Sequence, residues 1–269
     1  MRNILWGIVL IFFLCTCTEE KPRPVNITGL TFDTISVDTT SVLIPDDSIS
    51  PKCSLSISLQ IARGKDAKKI NQAIISADML MPGYVDTGTK HLTPRQYVDS
   101  FACHYINDYT RDYAPLYLDD KENATSYDDV YNVSTTTQST HDGYICYIAN
   151  ITHYGGGTHE TQQTLVRNIS IRTGKVLTLD SVFNHGYEQK LHAELTKALC
   201  KKFKVSNIAQ LAEKNILVDG KIYAPDNFIL FKHKIQFIYN PDEIAPHDIG
   251  EIKIDVSRKA LKGLMQNNI

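Results

Sequence analysis

The sequence predicts an α+β protein of antiparallel sheets with packed helices, built as two intimately associated halves. Three observations carry this expectation. Segments of two-residue apolar alternation flank amphipathic helices on both sides. Their order runs strands, helices, strands, helix, strands, without the regular βαβ alternation of a parallel sheet. The composition is that of a folded globular chain, 42% hydrophobic and 22% charged over 269 residues. A net charge of -2 with no Lys or Arg run longer than two leaves no basic footprint, so nucleic acid is not an expected partner.

Taken in order, Arg2 precedes an apolar run from Ile4 to Leu14, shorter than the ~20 residues a helix needs to span a bilayer. Residues 1–16 therefore read as a signal peptide. Leu14, Cys15, Thr16 and Cys17 resemble a lipobox, which makes Cys17 the expected lipid-attachment residue and the N-terminal lipid the expected contact with the membrane. Residues 17–29 are polar and proline-bearing and read as a tether. The acidic pair Glu19 and Glu20 after Cys17 resembles a surface-export signal, so the expected location is the bacterial cell envelope, at the outer membrane and on its outer surface.

Residues 30–37 and 55–61 alternate as half-buried strands do. Ala67, Ile70, Ala73, Ile74, Ala77 and Met79 fall at helical spacing and stop at Pro82-Gly83. A second helix opens at Thr93-Pro94-Arg95-Gln96, a capping box with Pro in the first turn, and is expected to reach about Tyr113. Its Tyr97, Phe101, Tyr105 and Tyr109 form a stripe that reads as core in preference to a ligand platform. Residues 119–129 are an acidic loop without the glycine and spacing of a calcium loop. Residues 130–138, 144–150 and 164–172 suggest a meander, with a turn at Thr173-Gly174-Lys175 leading into a strand at 176–179. Helices are expected at 187–203 and 206–215, and strands at 228–231, 235–239 and 251–256. The halves are placed at 30–150 and 151–269.

The C-terminal half resembles a known family. Gly174 to Phe183, a helix, the strand Gln236 to Tyr239, and then Asp242-Glu243-Ile244-Ala245-Pro246-His247-Asp248-Ile249-Gly250 are similar to domain of unknown function 3298, the RsiV-like C-terminal domain. In its hallmark segment Glu243, Ile244, Ala245, Pro246 and Gly250 match, while Asp242, His247, Asp248 and Ile249 depart. Tyr154-Gly155-Gly156-Gly157-Thr158-His159 resembles a tyrosine, double-glycine and histidine loop of the same family. The N-terminal half looks like the companion domain of unknown function 4163. The resemblance implies an extracytoplasmic α+β module, often on lipoproteins. It also implies, by likeness to an anti-sigma factor whose external domain binds lysozyme, a non-catalytic binding module for a lysozyme-like protein or for peptidoglycan. The candidate ligand surface is Tyr154, Gly155, Gly156 and His159 together with Glu243 and His247.

No nucleophile elbow, phosphate loop or cofactor motif stands in the chain, so no enzyme activity and no cofactor are expected. The sharpest catalytic alternative is a metal-assisted hydrolase using His153, His159, Glu160 and His247. It is set against a structural role for the glycines and a loop hydrogen bond for His159. A purely structural envelope component is a further alternative. Cys53, Cys103, Cys146 and Cys200 have no zinc-ligand spacing and are left either as two disulfides or as free thiols.

Overall fold

The computed structural model describes residues 24, 29–84, 92–141, 143–217, 220–267 and 269. Residues 1–23, with Cys17, Glu19 and Glu20, lie outside the described residues. Among the described residues, no helix is long and apolar enough to cross a membrane.

Two long alternating strands open the fold, β1 (Leu30–Val42) and β2 (Lys52–Gly64), paired antiparallel. Odd-numbered β2 residues from Cys53 to Ile61 are buried, and against them pack α1 (Ala67–Ser76) and α2 (Pro94–Asp119). The Thr93–Gln96 capping box forms as the sequence predicts, with Gln96 N–H donating to Thr93 Oγ1. The stripe of Tyr97, Phe101, Tyr105 and Tyr109 is buried in the core. The helix runs past Tyr113 and through Pro115 because its last turn has a tertiary anchor. Tyr117 is fully buried, and its hydroxyl donates to Asp47 Oδ2 at 3.1 Å. The acidic 119–129 segment contains a 3-10 stretch at Lys121–Tyr127.

After it come β3 (Asp129–Gln138), β4 (Tyr144–Gly155) and β5 (Thr161–Ser170), which complete a five-stranded sheet in the order β1-β2-β3-β4-β5. The α+β class of largely antiparallel sheets holds, with one pairing that departs from it. β3 pairs with β2 parallel, Cys53 opposite Asp129 through Ser58 opposite Ser134. The chain between them carries α1 and α2 as a crossover, the connection that parallel neighbours require. Asn150 and Ile151 sit inside β4, so the expected division at 150/151 cuts a strand that pairs on both sides. By sheet and core, the change comes between Ser170 and Leu179.

Past the turn at Gly174, Val176 makes only an isolated bridge to Ile169. The expected strand gives way to a short helix, α3 (Leu179–Val182), because Thr178 and Ser181 form a reciprocal capping box. Then follow α4 (Glu188–Phe203), α5 (Ile208–Ala212), β6 (Phe228–Leu230), β7 (Lys234–Tyr239) and β8 (Ile252–Ser257). The last three strands form an antiparallel sheet in sequence order. Leu191, Leu195 and Leu199 of α4 are fully buried in a core with Phe228, Phe237 and Ile254.

Three asparagine side chains join the halves by standing in for a missing strand beside β5. Asn168 Nδ2 donates to Phe228 O at 2.8 Å, while Leu230 N–H donates to Asn168 Oδ1. Asn227 Oδ1 accepts from Val166 N–H at 2.7 Å, and its amide donates to Thr164 O. Asn240 Oδ1 accepts from Thr164 N–H at 2.7 Å. Beside this ladder a small apolar patch of Cys146, Val166, Ile229, Phe231 and Ile238 spans both sheets. Cys53, Cys103, Cys146 and Cys200 are free thiols, so the disulfide alternative falls away. Burial pushes the Cys146 thiol up to about 12.

Candidate functional site

The site grows from the end of β4. Ile145, Tyr147, Ala149 and Ile151 face the core in alternation, and His153 continues that parity. It reaches Asp129, the first residue of β3, whose parity with Tyr131 and Val133 turns its carboxyl inward. His153 Nε2 lies 2.9 Å from Asp129 Oδ2. The same carboxyl accepts the Tyr105 hydroxyl at 2.7 Å and faces the Cys53 thiol at 3.9 Å. The Tyr131 ring meets the imidazole edge-on at 5.3 Å between centroids. Burial first, then the Asp129 charge and hydrogen bond, push the Cys53 thiol up to about 12. Burial and the Asp129 hydrogen bond also hold the Tyr105 hydroxyl well above its usual range.

The glycines after His153 divide by role. A Cβ on Gly155 would sit 3.4 Å from His153 Nε2, an ordinary contact that this position could accept. Gly156 has φ 70°, and a Cβ there would fall 1.8 Å from the carbonyl oxygen of Ser126. Only glycine permits that close approach of two backbones. Gly157 has open space around it. The tip of the loop, Thr158, His159 and Glu160, is exposed. Tyr154, one residue after His153, has the opposite parity and is half-buried on the other face of the sheet.

The second loop leaves β7. Glu243 closes its turn: Oε2 accepts from Asn240 N–H at 2.6 Å, and Oε1 accepts the Tyr223 hydroxyl. Ile244 is buried, and its carbonyl accepts from Leu217 N–H at 2.8 Å. From that anchored turn the chain lifts His247 to the surface, with Nδ1 2.8 Å from Asp242 Oδ2. There it stacks on His159, ring centroids 5.7 Å apart and planes at 19°.

The structure thus brings His159 and His247 together. His153 is held on the inner face by Asp129, and Glu160 accepts a hydrogen bond from Gln162 at 2.8 Å. Among the described residues, no three His, Cys, Asp or Glu side chains are placed to hold one metal ion. The surface is acidic: residues 122–166 and 235–252 contain neither Lys nor Arg, while Glu160, Asp242, Glu243 and Asp248 lie in or beside the loops. Sequence reasoning missed Asp129, reading it as part of a solvated loop, and took Tyr105 as core alone. A carboxyl at the inward parity of an alternating strand was the available signal.

No curated protein matches the chain. A crystal structure of a DUF3298 family member from Bacteroides fragilis is similar to it at 26% identity and a TM-score of 0.78. The match covers 90% of this chain and 96% of that one. A DUF3298 family protein from Pseudomonas aeruginosa shares the fold at 15% identity and a TM-score of 0.55, over 88% of this chain and 96% of that one. Within the chain, residues 180–259, from α3 through β8, match the family described as "Protein of unknown function (DUF3298)".

Proposed function

We propose that the protein is a cell-envelope lipoprotein, anchored through Cys17, whose two converging loops bind a lysozyme-like protein or a wall glycan without catalysing a reaction. The N-terminal half would be the companion domain of unknown function 4163, serving as the platform for the first loop. The observation that carries the reading is the contact of His159 with His247. Two segments far apart in sequence meet at an exposed surface, each backed by buried anchors, and loops held on a rigid scaffold are where recognition residues concentrate. The acidic character of both loops favours a cationic protein over a glycan as the ligand, since complementary charge speeds and orients encounter.

Calorimetric titration of the full-length, detergent-solubilised protein against lysozymes and soluble peptidoglycan fragments tests this. The expected result is saturable one-to-one binding that weakens with salt and falls roughly tenfold or more in the His159→Ala/His247→Ala variant. Binding to neither ligand class, or binding that the double variant leaves unchanged, would overturn the reading.

A further inference from the structure

We propose that β1 is a dimerisation strand, pairing antiparallel with β1 of a second copy of this chain to join two five-stranded sheets into one of ten. The inference stands apart from the two-loop ligand surface.

Which backbone groups of β1 face outward follows from its ladder with β2. Lys65 N–H donates to Gly29 O, and Leu43 N–H donates to Pro51 O, so the odd-numbered residues bond to β2. The even-numbered residues Phe32, Thr34, Ser36, Asp38 and Thr40 therefore direct their N–H and C=O groups to the open edge. Thr34 confirms the parity, because its N–H finds only the Asp33 side chain, Oδ1 at 2.8 Å. No other hydrogen bond from these five amides to a described residue is present.

An edge of 13 residues is long against the usual 5–6, and natural edges of this kind carry guards. β1 carries few of the common ones, its only charges being Asp33 and Asp38. It has no proline, no lysine and no arginine, and its register with β2 runs unbroken, without a bulge, from Leu30 to Val42.

The strand is also complementary to itself. Two-fold pairing centred on Ser36 sets Ser36 against Ser36 of the second copy, Thr34 against Asp38, and Phe32 against Thr40, each pair outward-facing and able to exchange two backbone hydrogen bonds. In the rows between, Ile35 meets Val37 and Asp33 meets Thr39. Ile35 and Val37 are both half-buried against the first core, so their pairing extends the apolar face. No aspartate faces an aspartate. The register that would oppose Asp33 to Asp38 sets outward residues against inward ones and cannot form a ladder. On pairing, Asp33 releases the Thr34 N–H and keeps Arg63, 3.2 Å from its Oδ2.

The test uses the full chain at several concentrations in detergent. Ser36→Cys places two thiols across the axis at a Cα separation near 5.5 Å, within disulfide reach. The result expected is an oxidised dimer of most chains, well above the background of the unsubstituted chain, whose Cys103 is exposed. Thr40→Cys, which faces Phe32 of the second copy, stays at background. Ser36→Pro removes an outward donor that the isolated fold does not use, and should yield a folded monomer in sedimentation. Ser36→Lys should raise the dimer dissociation constant roughly tenfold or more. Ser36→Cys at the level of the unsubstituted chain, or an unsubstituted chain that sediments as a monomer, would overturn the proposal.

Discussion

Two histidine–aspartate pairs have nearly the same separation, His153 to Asp129 at 2.9 Å between strands β4 and β3 and His247 to Asp242 at 2.8 Å in the loop after β7. Their surroundings differ. The Asp129 side chain is 7% exposed and its His153 partner 36%, whereas Asp242 and His247 are 58% and 45% exposed. A buried carboxyl must have its partners, and removing one leaves the others desolvated and unpaired. An exposed ion pair trades one set of water contacts for another and contributes little. The same chemical pair is therefore an anchor between two strands and an available surface group in the loop after β7.

The glycines give the sharpest way to break that comparison. Gly156→Ala drives a Cβ into the Ser126 backbone and is expected to cost more than about 3 kcal/mol by denaturant unfolding, or to prevent folding. Gly250, in the exposed loop, has φ 70° and ψ -158° but open space around it, so Gly250→Ala pays for conformation alone, about 1–3 kcal/mol. At the seam between the halves, Asn168→Ala leaves the Phe228 carbonyl and the Leu230 amide without partners and should cost about 2–4 kcal/mol.

The anchor should also show in the alkaline limb of stability. In the folded protein the Cys53 thiol is pushed up to about 12 by burial and by Asp129, and the Tyr105 hydroxyl is raised by the same causes. An acid whose folded pKa is raised stabilises fully below its unfolded value, and that contribution is lost as pH rises towards the folded one. Urea midpoints should hold from pH 7 to about 8.5 and decline above it, first through Cys53 and Cys146 and then, beyond about pH 10, through Tyr105. A Cys53→Ala chain should lose about half of the first part of the decline, the rest belonging to Cys146, whose thiol burial raises alike. The smallest stability effect is expected at the tip: His159→Ala/His247→Ala should unfold within about 1 kcal/mol of the parent while losing ligand affinity.

Much of this was readable in the sequence, and the exceptions have physical reasons. The Thr93 capping box and the α2 stripe are local signals, and the structure bears them out. Alternation in β2 and β3 reports which side chains are buried but not strand direction, so the parallel pairing could not be read from it. Val176 to Leu179 has strand composition, yet the Thr178–Ser181 cap decides for helix at its end. Tyr154 and His153 are neighbours in β4, so strand parity sends Tyr154 to the face opposite His153. Asp129 escaped notice because its neighbours Asp119, Asp120 and Asp128 made the segment look uniformly solvated.

The most direct measurement is side-by-side urea unfolding of Asp129→Asn and Asp242→Asn at pH 7. The first variant keeps the shape but turns an acceptor into a donor facing His153 and removes the buried charge. The second keeps a residue suited to the positive φ of 65° at position 242. The account predicts a loss of about 2–4 kcal/mol for Asp129→Asn and no more than about 0.5 kcal/mol for Asp242→Asn. Equal losses, or a larger one at Asp242, would contradict it.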